Sequence, residues 1–220
     1  MNSTGHKKLI IILLFLLAGA MALVWLRWRE ALGIVVTPST EPLVAKDSTY
    51  IPTDDHEQVL GNPGAPLTIT LFADLGSARS NTIYKEVAAV VRAHPEAARL
   101  IWKDAPAQSL LWKAATLAHV GAYCAGQQQN FWPFVDGVLG QGKVYDPTKL
   151  QATAQSQHLN LTEWQRCLDG TEAKTYVLTG LAMAQALHLP AAPVLFVNNK
   201  RVALDTDLNV TNFLMTFIAP

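Results

Sequence analysis

Residues 59–80 read VLGNPGAPLTITLFADLGSARS, and the architecture of the chain follows from how this stretch is parsed. Positions 67–73 (LTITLFA) are β-branched and apolar in both alternating sets, the composition of a central strand covered on two faces. Asp74, Leu75 and Gly76 end that run with turn chemistry. From 80 to 94 the apolar side chains Ile83, Val87, Val90 and Val91 recur at helical spacing, and Pro95 stops the pattern. A short second strand at 100–103 follows, so the opening unit is strand, helix, strand, which folds as a right-handed βαβ turn.

Downstream the periodicity is helical: 106–125, 130–139, 146–158 with Asp146 as N-cap and Pro147 at the first position, 162–168, and 171–187. Gly140, Gly142 and Gly170 separate these segments. Pro193 then opens VLFVNNKRVAL, two apolar runs around Asn198, Asn199 and Lys200, which predicts a β-hairpin. A final helix over 208–218 places Val210, Phe213, Leu214, Phe217 and Ile218 on one face. The order predicts an α/β fold: a βαβ unit and a ββα unit share one mixed sheet with helices on both faces. The helical block at about 106–188 sits beside the sheet as a lid.

Upstream lies a different kind of sequence. Residues 9–26, LIIILLFLLAGAMALVWL, hold no charge, and as a helix they rise about 27 Å, close to the roughly 30 Å of a bilayer core. Lys7 and Lys8 precede it while Arg27, Arg29 and Glu30 follow, a slight charge bias for a single span with residues 1–8 cytoplasmic and the rest exported, and Trp25 and Trp28 near its far end suit an interfacial aromatic belt. Cleavage after Ala18-Gly19-Ala20 is the competing reading, but apolar character continues to Leu26. We therefore expect a signal-anchor over 9–32, a linker rich in Pro, Thr, Ser and Asp over 33–62, and a domain over 63–220. That placement predicts a single-pass protein of the bacterial inner membrane with its C-terminal domain in the periplasm.

The chain is 50% apolar and 15% charged with 17 basic and 17 acidic residues. One globular domain fits, and a nucleic-acid binder does not, because phosphate contacts need a concentrated positive field. Six histidines fall at no metal-ligand spacing, so neither a metal nor another cofactor is expected. Of cysteines there are two, Cys124 and Cys167, and no CxxC. In an exported chain an even count permits one disulfide, whereas in a reducing compartment both would be core thiols.

Residues 59–80 resemble the start of DsbA-like thioredoxin-fold proteins, whose pattern runs Gly-Asn-Pro-x-Ala-Pro, a strand, then Phe-x-Asp-x-x-Cys-Pro-x-Cys. Three later segments resemble the same family in the same order: Trp102-Lys103-Asp104-Ala105-Pro106, Asn130-Phe131-Trp132, and Ala192-Pro193-Val194-Leu195-Phe196-Val197-Asn198. The resemblance covers about residues 57–218 and implies a thioredoxin domain with an inserted helical subdomain. It also implies that Pro193 is the family's cis-proline, bordering with Ala192 a peptide-binding edge. Cys124 and Cys167 lie near positions where some members carry a second, structural cysteine pair.

The departure falls where that family does its chemistry. Aligned on Phe72 and Asp74, the two active cysteines correspond to Ser77 and Ser80, with Ala78 and Arg79 between them. Disulfide exchange needs an attacking thiolate and a resolving thiol, and a hydroxyl supplies neither. Ser77 or Ser80 is expected to cap the helix, and no residue is expected to be catalytic. The expectation is a redox-inactive, membrane-anchored domain that binds an envelope or membrane protein. Two alternatives stand beside it. One is a thiol-disulfide oxidoreductase or isomerase, if the serines replace cysteines of an active parent or if Cys124 and Cys167 are used. The other is a holdase that retains unfolded clients.

Overall fold

Strand β2 (Leu67–Ala73) is the middle of a five-stranded sheet with the order β1 (Gln58–Gly61), β3 (Ala98–Asp104), β2, β4 (Val194–Val197), β5 (Lys200–Val202). The computed structural model describes residues 21, 49–53, 56–107, 112–140 and 146–218, leaving out the side chains of 112–115. Apart from Met21, the expected N-terminus (1–8), membrane span (9–32) and first part of the linker (33–48) lie outside those residues. No helix among the described residues is long and apolar enough to cross a membrane. The chain divides into two compact units, Met1–Thr40 and Glu41–Pro220, and the sheet belongs to the second.

β2 and β3 are parallel, with Leu67 opposite Ala98 and Ala73 opposite Asp104, while β4 runs antiparallel to β2 with Phe72 opposite Val194. Helix α1 (Ala78–Ala93) makes the crossover between β2 and β3. Alternation along β2 explains its two apolar sets. Leu67, Ile69, Leu71 and Ala73 join the main core with Ile83, Tyr84, Val87 and Val91 of α1, and with Val210 and Leu214 of α7 (Val210–Ile218). Phe72, from the opposite set, joins Phe196, Val194, Ala184 and Ile51 in a second cluster.

Between β3 and β4 the described residues form five helices: α2 (Trp112–Gly126), α3 (Phe131–Gly140), α4 (Pro147–Ser156), α5 (Leu161–Asp169) and α6 (Glu172–Ala186). Asp146 caps α4 by accepting the Thr148 N–H at 2.9 Å, with Pro147 in the first turn, and Asn160 caps α5 through Thr162 and Glu163. Trp102 of β3 stands against Tyr84, Phe131 and Trp132 with ring centroids 5.6, 5.9 and 6.4 Å away, which ties the insertion to the sheet by aromatic packing. The helix expected at 106–125 does not begin at Pro106: residues 106 and 107 are described and are not helical, 108–111 lie outside the described residues, and the helix runs Trp112–Gly126.

Two further sequence expectations need correction. β1 falls inside residues read as linker: Gln58 pairs with Trp102 and Gly61 with Arg99, so the domain starts earlier than residue 63. Preceding residues are tied down as well. The Thr49 N–H donates to Asn199 O at 2.7 Å and Ile51 is 3% exposed. Gly61 has φ +88°, and a Cβ there would lie 2.5 Å from Ala98 O, so the sharp exit from this edge strand requires glycine. The hairpin turn is the second correction. Val197 pairs directly with Lys200, leaving a two-residue turn in which Asn198 and Asn199 both take positive φ, 49° and 63°. Asparagine tolerates that region, and Lys200 already belongs to β5.

Cys124 of α2 and Cys167 of α5 are joined by a disulfide, 43 positions apart in sequence. Such a closure stabilises mainly by restricting the unfolded chain. The Cys124→Ala/Cys167→Ala chain is expected to lose about 2–4 kcal/mol of unfolding free energy. The loss would be read as a lower urea midpoint at similar slope.

Candidate functional site at the N-terminus of α1

The carboxyl end of β2 runs through Asp74, Leu75 and Gly76 into α1. Because Phe72 faces Val194 across the antiparallel pair, Pro193 sits at the same end of the sheet. The Ala192–Pro193 peptide is cis. The helix N-terminus and the chain before β4 are thus brought together by sheet register alone.

Ser77 is the N-cap of α1, with φ −94° and ψ 119°, and its Oγ accepts the Ser80 N–H at 3.3 Å. Ser80 points the other way. It is fully buried, and its Oγ accepts the Asp74 N–H at 3.2 Å. Ser77 is half-buried, while Ala78 and Arg79 are exposed. The first turn of α1 carries no acidic residue, so its free N–H groups face a surface whose added charge is the Arg79 cation. That guanidinium donates to Leu204 O, beyond β5, and so bridges α1 to the segment leading into α7.

Under this surface lies a polar cluster that the sequence reading missed. Asp74 Oδ1 accepts the Gly76 N–H at 2.8 Å and its Oδ2 accepts the Ala107 N–H at 3.2 Å. His119 of α2, fully buried, sets its Nε2 3.5 Å from Asp74 Oδ1 and its Nδ1 2.5 Å from Asp104 Oδ1. The Trp102 indole N–H donates to that same Asp104 oxygen at 2.7 Å. Burial disfavours the His119 cation, but the hydrogen bond to Asp104 and the charges of Asp104 and Asp74 outweigh it and raise the pKa from 6.5 to about 9. The Leu75 N–H, which donates to Nε2 at 3.0 Å, needs that nitrogen unprotonated and therefore limits the rise. Burial alone would raise the Asp74 pKa; the His119 hydrogen bond and the Gly76 N–H reverse that, leaving it below 3.8.

Chemically the arrangement offers capped hydroxyls and a sealed ion cluster, with no thiol at the surface. Both cysteines lie in the α2–α5 disulfide, and among the described residues no cysteine is free. Nor do any three His, Cys, Asp or Glu side chains among the described residues sit so as to hold a metal ion. A local signal for the cluster existed only in part. His119 interrupts an otherwise apolar helical stretch, and Asp104 follows Trp102 at the spacing that shares one strand face.

A thioredoxin family model matches residues 53–214. Among solved structures, a thioredoxin-like oxidoreductase from Silicibacter pomeroyi DSS-3 superposes with a TM-score of 0.65 at 23% identity, covering 75% of this chain and 91% of that one. The thiol-disulfide exchange protein alpha-DsbA2 from Wolbachia pipientis gives 0.64 at 14% identity, covering 74% and 87%. A periplasmic thioredoxin-like protein from Salmonella enterica serovar Typhimurium gives 0.60 at 14%, covering 75% and 89%. No curated protein sequence matches the chain. At these identities the structural likeness is one of fold.

Proposed function

Because the chain belongs to the DsbA-like thioredoxin-fold family, we propose that it is a membrane-anchored envelope protein whose domain has given up thiol chemistry and works by binding, as a structural component of an envelope complex. One observation carries this reading. At the head of α1 both side chains that would have to be thiols are hydroxyls with structural tasks: Ser77 Oγ holds the Ser80 N–H and Ser80 Oγ holds the Asp74 N–H. An oxidoreductase needs a thiolate and a resolving thiol within reach of each other. The remaining cysteines are joined in the insertion.

Binding needs none of this. Exposed Ala78 and Arg79, with Ala192 at the same sheet end, form a surface that a partner's extended backbone can meet. The apolar 9–26 stretch supports an inner-membrane anchor, and the periplasmic neighbour from Salmonella supports an outward-facing domain. The partner is then an envelope or membrane protein.

Photoreactive residues at Arg79 and at Ala192, in intact cells, test the surface. We expect one defined envelope or membrane protein to be captured from both positions. A smear of unrelated exported chains would make the domain a holdase instead, and no adduct from either position would remove this face as the functional one.

A further inference from the structure

The chain enters the domain at the end of the sheet opposite the α1 surface. Thr49, the first described residue of that entry, donates its N–H to Asn199 O at 2.7 Å, and Asn199 lies in the β4–β5 turn. This turn is level with the amino end of β2, because Val197 faces Ile69 and the Asn198 N–H donates to Thr68 O at 2.8 Å. Ala78, Arg79 and Ala192 belong to the carboxyl end, about 20 Å away along a seven-residue strand.

Two cations stand at this entry. Lys200 and Arg201 are consecutive on the edge strand β5 and both exposed, and among the described residues neither side chain has a hydrogen-bond or ion-pair partner. Next to Thr49, Tyr50 is 76% exposed, a large aromatic left in water where the chain arrives. Edge cations also discourage strand addition, but an exposed tyrosine beside them does not serve that end. Glu96, an exposed acid at the same end of the sheet, is held by the Asn62 amide at 2.6 Å. Uncommitted negative charge lies elsewhere: exposed Asp205 and Asp207 follow Leu204, whose carbonyl Arg79 reaches from the head of α1.

What covers this end follows from the tether and from charge. Residues 33–48, expected between the membrane span and Thr49, reach at most about 55 Å when fully extended. They confine the Lys200 end to that distance from the bilayer. Anionic headgroups complement two uncommitted cations, and a tyrosine, apolar in its ring and polar at its tip, suits headgroup depth. We infer that the amino end of the sheet docks on anionic phospholipid headgroups through Lys200, Arg201 and Tyr50, so that the α1 surface at the other end faces away from the membrane, toward its protein partner. This inference rests on the membrane anchor proposed above.

The test uses the full chain in lipid nanodiscs, with photoreactive p-benzoylphenylalanine in place of Tyr50 or of Ala192 and lipid adducts quantified by mass. Discs are made of phosphatidylcholine alone or of an equal mixture with phosphatidylglycerol. Each cation favours contact with an anionic surface by about fivefold. Adducts from position 50 are therefore expected to be at least about fivefold more abundant in the mixed discs, and to fall at least about tenfold in a Lys200→Glu/Arg201→Glu chain. They are also expected to fall in about 1 M salt and to exceed those from position 192 in mixed discs. Because both side chains are exposed, the charge-reversed chain is expected to keep its Tm, which separates lost docking from lost folding. Equal adducts from position 50 in the two lipids would overturn the inference, since a tether alone gives that result. So would equal adducts from positions 50 and 192 in mixed discs, or a charge-reversed chain that labels lipid as well as the natural one. A chain that fails to co-migrate with the discs would instead remove the anchor itself, and the docking with it.

Discussion

Installing cysteine at both Ser77 and Ser80 is expected to turn the domain into a thiol-disulfide oxidoreductase, with insulin-reducing activity at least about 100-fold above that of the natural chain. The scaffold for it is present. Position 77 is a half-buried N-cap and position 80 a buried residue one turn on, close enough that the Ser77 oxygen already reaches the Ser80 N–H. A thiolate at position 77 would face the free N–H groups of a 16-residue helix with no acid in its first turn and with Arg79 beside it. These conditions lower a cysteine pKa from about 8.5 into the range of roughly 3.5–7.5. The thiolate absorbance of the double variant measures that directly. Two thiols that titrate near 8.5 and never reduce insulin would mean that the α1 terminus lacks the geometry of its family.

Removing the imidazole from the buried cluster should be the most damaging single substitution near the site. His119→Leu leaves Asp74 and Asp104 buried with no imidazole between them, and unfolding free energy is expected to fall by about 3–5 kcal/mol. The natural chain should show the same interaction through pH. A folded pKa raised from 6.5 toward about 9, with the Leu75 N–H limiting the rise, gives stability that is complete below about pH 6.5 and is lost as pH climbs toward about 9. Asp74 acts in the opposite sense. Its lowered pKa gives stability that is present above about pH 3.8 and is lost as pH falls further. Urea midpoints should therefore hold level in mildly acidic buffer and decline toward pH 9, and in His119→Gln that alkaline decline should flatten. Equal decline in both chains would show that His119 is not the group that titrates.

How much of this could be read from the residues differs from element to element. β2 and α1 were legible because their signals are local: seven apolar or β-branched positions in a row, then a 3.6-residue period closed by Pro95. β1 was not, since Gln58, Val59, Leu60 and Gly61 are all only half-buried, and what makes them a strand is pairing with β3 rather than their own propensity. The turn reads one residue too long because two asparagines in the left-handed region look, in sequence, like any polar loop. At the site, the helix cap was anticipated as Ser77 or Ser80, and geometry gives the two serines separate partners. The ion cluster was hidden for a plainer reason. Asp74, Asp104 and His119 come from β2's exit, the end of β3 and the middle of α2, and no spacing rule connects residues that only tertiary packing brings within 3.5 Å.

The most direct measurement on the central claim is the insulin-reduction rate of the natural chain, assayed in the same run as the Ser77→Cys/Ser80→Cys protein and as the Cys124→Ala/Cys167→Ala protein. A natural chain indistinguishable from buffer, beside an active double-cysteine variant, is the predicted result. Turnover by the natural chain that disappears when Cys124 and Cys167 are replaced would contradict it and make the insertion disulfide a working redox centre.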